Sequence, residues 1–132
     1  MNLHQKNRKT ILVIEDDQNV LSVIVRYLTH AGYNVDTAAD GMEGLKRLKQ
    51  GGFDLVITDI VMPYVSGIGL VNLVKDDSPL IPVIAITGFG QESEAAALEK
   101  RADLVLAKPI KMAVLKDYVV RLLEESEETA PP

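Results

Sequence analysis

The sequence predicts an α/β protein built on one doubly wound, five-stranded parallel sheet with helices on both faces. Strand-like and helix-like patterns alternate from end to end with short connections, as β–α units do. The first strand run, Ile11–Ile14, is a continuous apolar stretch, the mark of a strand covered on both sides. At 132 residues the chain is one domain's worth, long enough for a single sizeable core.

Ile11–Ile14 is the first such run. Asp17 or a neighbour starts a helix in which Val20, Leu21, Ile24 and Leu28 recur at helical spacing, and Gly32 is placed to stop it. A weaker strand follows at about Asn34–Ala38. Next comes a short amphipathic helix using Met42, Leu45 and Leu48, ended by Gly51 and Gly52. Leu55–Thr58 is the third strand. The helix after it begins near Ser66, carries Leu70, Leu73 and Val74, and stops before Ser78 and Pro79. Pro82–Ile86 is the fourth strand, followed by an Ala-rich helix from about Gln91 to Arg101. Leu104–Ala107 is the fifth strand. A last helix runs from Lys111 to about Glu125 with Val114, Leu115, Tyr118, Val119 and Leu122 on its apolar side. The domain is therefore expected over residues 10–125, with flexible tails at 1–9 and 126–132, the latter acidic and Pro-terminated.

Hydrophobic residues make up 47% of the chain and aromatics only 5%, so the core must be aliphatic. A net charge of −5 argues against a nucleic-acid surface, and the basic residues Lys6, Arg8 and Lys9 read as a solvated tail. The absence of cysteine excludes disulfides, thiolate catalysis and cysteine-ligated metals. No apolar stretch approaches membrane-spanning length and no signal-peptide pattern opens the chain. A soluble cytoplasmic protein is expected, without direct nucleic-acid binding or membrane insertion.

Chemistry concentrates at the strand ends. Ile11–Ile14 runs into Glu15, Asp16 and Asp17; Leu55–Thr58 ends in Asp59; Pro82–Ile86 ends in Thr87 and Gly88; Leu104–Ala107 runs into Lys108 and Pro109. Open α/β sheets hold ligands at the carboxyl edge of their strands, so acids, a hydroxyl and an amine should converge there. Glu15, Asp16 and Asp59 could bind a hard cation such as Mg²⁺ through oxygen. Three clustered carboxylates repel one another, so a cation or Lys108 must offset their charge. An Asp beside a divalent ion and a lysine is a reasonable nucleophile toward phosphorus. Thr87 can donate its hydroxyl to a phosphoryl oxygen, and Gly88 leaves room. Taken singly, each residue has a plainer role as cap, turn residue or surface amine, and Asp17 fits the cap role better than the metal role. Four strand ends each carrying a required residue type make coincidence a poor explanation.

With these motifs in view, the chain resembles the receiver domains of two-component response regulators, of the single-domain, chemotaxis-regulator-like kind. The resemblance covers about Thr10–Glu124. It rests on Ile-Leu-Val-Ile-Glu15-Asp16, Asp59-Ile-Val-Met-Pro63, Ile86-Thr87-Gly88 and Lys108-Pro109. It implies a flavodoxin-like strand order 2-1-3-4-5, with Asp59 as phospho-acceptor. It implies Mg²⁺ held by Asp16, Asp59 and the backbone carbonyl of Val61, with Glu15 acting mainly through water. Thr87 and Lys108 would contact the phosphoryl group, and the Lys108–Pro109 peptide would be cis. The implied partners are a sensor histidine kinase or histidine phosphotransfer protein and a downstream protein target, with monomer and homodimer both open. The implied output surface includes Glu92, Glu94, Glu99 and Lys100, with Lys111, Lys116 and Tyr118. Such a protein catalyses only its own phosphorylation and dephosphorylation.

One position departs from the family pattern: Val105 stands where receivers commonly carry a rotating Tyr or Phe. A β-branched aliphatic cannot swing as a ring does. Any switch should then rely on Thr87 and the loop Gly88-Phe89-Gly90-Gln91, with Phe89 as a substitute ring. Val61 and Phe89 are apolar, so a slowly hydrolysing acyl phosphate is expected. His4 and His30 read as a tail residue and a helix-end residue. Three alternatives compete: a non-switching docking or dimerisation module, a receiver fragment of a larger regulator or hybrid kinase, and a phosphohydrolase. The last usually wants a second acid where this chain has Val61. A nucleotide loop at Ser66-Gly67-Ile68-Gly69 lacks the full glycine spacing and does not directly follow a strand.

Overall fold

The computed structural model describes residues 8–60, 67–88, 96 and 101–129. In chain order these form β1 (Thr10–Ile14), α1 (Gln18–His30), β2 (Asn34–Ala38), α2 (Gly41–Gln50) and β3 (Leu55–Asp59). There follow α3 (Gly67–Asp77), β4 (Val83–Thr87), β5 (Leu104–Ala107) and α4 (Met112–Thr129). The strands make one parallel sheet in the order β2-β1-β3-β4-β5, as expected.

Because successive side chains on a strand point to opposite faces, each buried strand feeds two cores. Leu12, Ile14, Val56, Val83 and Ala85 pack with Leu70, Val71 and Val74 of α3, joined by Leu45 and Leu48 of α2. Ile11, Val13, Leu55, Ile57, Ile84 and Ile86 pack with Leu21, Ile24 and Leu28 of α1 and with Leu115 and Val119 of α4. The apolar runs of β1, β3 and β4 are thus strands covered on both faces, whereas β5 at the edge of the sheet is half-buried to exposed.

Local chemistry sets the helix ends. The Asp17 carboxylate accepts the N–H groups of Asn19 and Val20 at 2.9 and 3.3 Å, fulfilling its cap role. Asp40 accepts the Glu43 N–H at 2.8 Å, while Glu43 reaches back to the Ala39 N–H at 3.2 Å. After α1 the chain turns through Gly32 at φ 105°.

Two helices are rotated from the sequence expectation. Met42 is 56% exposed, whereas Gly41 and Gly44 are the buried residues of α2. A Cβ on Gly44 would lie 2.9 Å from Ile14 Cδ1, so the glycine edge lets α2 sit close on β1 and turns Met42 outward. In α4, Val114 is 42% exposed and Leu123 takes the buried place. This helix continues past the expected end near Glu125 to Thr129. Its end is held by Ser126, whose hydroxyl donates to Leu80 O at 3.2 Å, and by a 3.1 Å ion pair between Glu127 and Lys9. The predicted helix start at Ser66 and nearly all of the predicted helix at 91–101 lie outside the described residues.

At the end of the sheet away from the acids, side chains satisfy the first strand N–H groups. Asp54 accepts the Thr10 N–H and Asp103 the Val83 N–H, both at 2.7 Å. Lys75 pairs with Asp103 at 2.5 Å and donates to Ile81 O at 2.8 Å. Among the described residues, no helix is long and apolar enough to cross a membrane.

Candidate functional site

Strand register assembles the site. Ile14 is level with Thr58, so Glu15 follows β1 at the height of Asp59, the last residue of β3. Thr87 is level with Ala107, which brings Lys108 just beyond the end of β4. This is the topological switch point, where the chain leaves β1 toward β2 on one side and β3 lies on the other.

Glu15, Asp16 and Asp59 each offer a carboxylate oxygen, all within 4.8 Å of one another. Glu15 is 1% and Asp59 4% exposed, whereas Asp16 faces solvent. The Lys108 ammonium lies 3.1 Å from Asp59 Oδ2 and 3.5 Å from Glu15 Oε1. Glu15 Oε1 also accepts the Asp17 N–H at 3.2 Å. Its Oε2 is buried without a hydrogen-bond partner among the described residues. Burial first, then the Asp59 charge, push the Glu15 carboxyl from 4.5 up to about 7 against the opposing pull of Lys108. For Lys108, burial disfavours the charged form. The hydrogen bond to Asp59 and the charges of Asp59 and Glu15 outweigh it and raise its pKa.

Thr87 is 5% exposed, and its hydroxyl is directed at Leu106 O, 3.4 Å away on β5. The Lys108 N–H donates to Thr87 O at 2.8 Å, and the Lys108–Pro109 peptide is cis. Val105 is half-buried against the core on the α2–α3 side of the sheet. Thus Glu15, Asp16, Asp59 and Lys108 form one cluster, with Thr87 beside it on the neighbouring strand end. Val61, Phe89, Glu92, Glu94, Glu99, Lys100 and His4 lie outside the described residues. His30 is the exposed last residue of α1.

The donor set fits a hard divalent cation: oxygen ligands, excess negative charge and a buried carboxylate oxygen lacking a partner among the described residues.

Two features escaped the sequence reading. Beside the acids, Asn19, Val20 and Val23 of α1 face Pro109, Ile110 and Met112 across an open, mostly apolar groove of about 590 Å³, with Gly88 and Lys108 also in its lining. Val20 was legible only as part of a core stripe, and Val23, outside that stripe, is 50% exposed. The second is the close seat of Gly67 against the end of β3, for which the local sequence carries no signal.

This arrangement of fold and acids is that of a receiver domain, and the family comparison agrees. The profile of the response regulator receiver domain matches residues 11–120, and the chain belongs to that family. The alkaline phosphatase synthesis transcriptional regulatory protein PhoP of Bacillus subtilis is 30% identical over 124 residues, covering 93% of this chain and 52% of PhoP. The chain spans about half the length of the curated relatives it matches. A response regulator receiver domain protein from Clostridium thermocellum superposes with TM-score 0.86 at 30% identity, covering 92% of this chain and 99% of that one. The response regulator TrrA of Thermotoga maritima, crystallised with Mg(2+)-BeF, gives TM-score 0.78 at 32% identity, with 86% and 98% covered.

Proposed function

We propose that this receiver domain accepts a phosphoryl group on Asp59 from the phosphohistidine of a sensor histidine kinase or phosphotransfer protein. It then signals through a changed protein-binding surface. The observation that carries the reading is the Lys108 ammonium 3.1 Å from a nearly buried Asp59 that shares its pocket with Glu15 and Asp16. An Asp59 carboxylate oxygen attacks phosphorus in line, the phosphorus–nitrogen bond breaks, and the histidine imidazole leaves, giving an acyl phosphate. Lys108 offsets the phosphoryl charge. Thr87 can release its 3.4 Å bond to Leu106 O and donate to a phosphoryl oxygen. Glu15, Asp16 and Asp59 would hold Mg²⁺, which when bound supplies charge neutralisation. The activity is self-modification, with no separate substrate turned over.

The apolar groove supports the choice of donor. A protein presenting a phosphohistidine to Asp59 covers the mouth beside Lys108 and therefore the groove, whose lining suits an amphipathic helix. On the output side, Lys111, Lys116 and Tyr118 of the described residues support a protein target. The net charge of −5 supports a receiver without nucleic-acid contact of its own; the transcriptional regulators it resembles are about twice as long.

Val105 favours a second reading, a non-switching docking or dimerisation module, because a packed aliphatic has no second position to adopt. The part-length coverage equally accommodates a receiver segment of a larger regulator or hybrid kinase. Intact mass after incubation with Mg²⁺ and a small acyl phosphate, beside Asp59→Ala, separates switching from docking. A phosphate adduct requiring both Mg²⁺ and Asp59 is expected. No adduct under conditions that label a control receiver would favour the docking module.

A further inference from the structure

Gly67 opens α3 and touches the backbone that carries Asp59. Its N–H donates to Ile60 O at 2.8 Å, and it is buried. A Cβ there would lie 2.5 Å from Ile60 Cα, 2.9 Å from Ile60 O and closer still to Asp59 O. All three obstacles are backbone atoms, so no side chain can turn aside to make room. The requirement is for space: among the described residues the positive-φ glycines are Gly32, Gly51 and Gly52.

Neither partner can yield freely. The Ile60 N–H donates to Ile86 O at 3.0 Å, and Asp59 is paired in register with Ile86, so β4 holds the Asp59–Ile60 peptide from the far side. Asp59 O also accepts the Thr58 hydroxyl at 3.0 Å. On the other side, α3 is anchored by Leu70, Val71 and Val74, each at most 5% exposed. A methyl group at position 67 must therefore open this seat by about 1 Å to reach ordinary contact. The displacement falls on the peptide of the acceptor carboxylate.

We infer that Gly67 is a positioning residue for the phospho-acceptor site, seating α3 against the Asp59–Ile60 peptide and thereby fixing the Asp59 carboxylate relative to Glu15, Asp16 and Lys108. The inference rests on the function proposed above. Displacing a reacting group by about 1 Å can cost about 100-fold in rate. Gly69, two residues along the same helix, meets no heavy atom within 4 Å and is exposed, which makes it the matched control.

The test compares wild type, Gly67→Ala and Gly69→Ala. Urea midpoints in EDTA establish folding, calorimetry reads Mg²⁺ affinity, and intact mass reads the rate of acyl phosphate labelling at saturating Mg²⁺. Folded G67A should bind Mg²⁺ at least tenfold more weakly and label about 100-fold more slowly, with G69A matching wild type within about twofold. A folded G67A that binds and labels like G69A overturns the inference. A wild type that neither binds Mg²⁺ nor takes label overturns the proposed function instead. A second measurement needs no variant. On Mg²⁺ titration of wild type followed by amide NMR, the Gly67 amide should shift with that of Asp59 while the Gly69 amide stays. An unmoved Gly67 amide beside a shifting Asp59 amide overturns the inference even if G67A fails to fold.

Discussion

Replacing Glu15 by glutamine should stabilise the metal-free protein at pH 8 and remove most of its response to Mg²⁺. The wild-type carboxylate is 1% exposed, faces Asp59 and leaves Oε2 without a partner among the described residues. Its charge is resisted by burial and by Asp59 more than Lys108 favours it, which is why its pKa stands near 7 instead of 4.5. A folded pKa above the unfolded one means that the folded state holds the extra proton between these two values. The Glu15 contribution to wild-type stability in EDTA therefore falls as pH rises from about 4.5 to about 7 and levels off above that. The shift corresponds to about 3 kcal/mol at most. Glutamine keeps an oxygen for the Asp17 N–H and can turn an amide N–H toward Asp59, so E15Q should escape about 1–3 kcal/mol at pH 8 and under ~1 kcal/mol at pH 5. Urea unfolding of both proteins in EDTA across this range isolates Glu15, since every other titrating group is common to both. With Mg²⁺ at about a hundred times its Kd, the wild type should gain about 2.7 kcal/mol and the variant much less. An E15Q no more stable than wild type at pH 8 in EDTA would refute the reasoning, as would a difference that ignores pH.

Two further outcomes separate architecture from chemistry. Asp17→Ala removes the acceptor of two N–H groups at the start of α1 and should cost about 1 kcal/mol in urea, with Mg²⁺ affinity by calorimetry unchanged. Lys75→Met breaks the ion pair to Asp103 and the bond to Ile81 O at the far end of the sheet. It should cost about 1–3 kcal/mol while Asp59 labelling by intact mass proceeds at the wild-type rate.

Much of this protein was legible without coordinates because its signals are local. Short apolar runs bounded by turn residues fit strands clothed on both faces, and Asp17 and Gly32 act on backbone groups within a few residues of themselves. The site was legible for a related reason: in a parallel sheet every strand delivers its last residue to the same edge, so Glu15, Asp59, Thr87 and Lys108 were bound to meet. How helices roll against the sheet was not legible. Met42 and Leu45 have the right spacing for a buried stripe, but the small Gly41–Gly44 edge fits over Ile14 and turns Met42 to solvent. The same holds for Val114 and Leu123, and for the extension of α4 to Thr129, which depends on Leu80 and Lys9 far away in the chain. By itself the sequence determined which groups stand at the edge of the sheet, because alternation and register follow from the backbone repeat. Only the tertiary structure decided how close they come: Lys108 at 3.1 Å from Asp59, a Glu15 oxygen left without a partner among the described residues, and a glycine pressed against the Asp59–Ile60 peptide. Those distances are set by close-packing between elements remote in sequence, which no local pattern records.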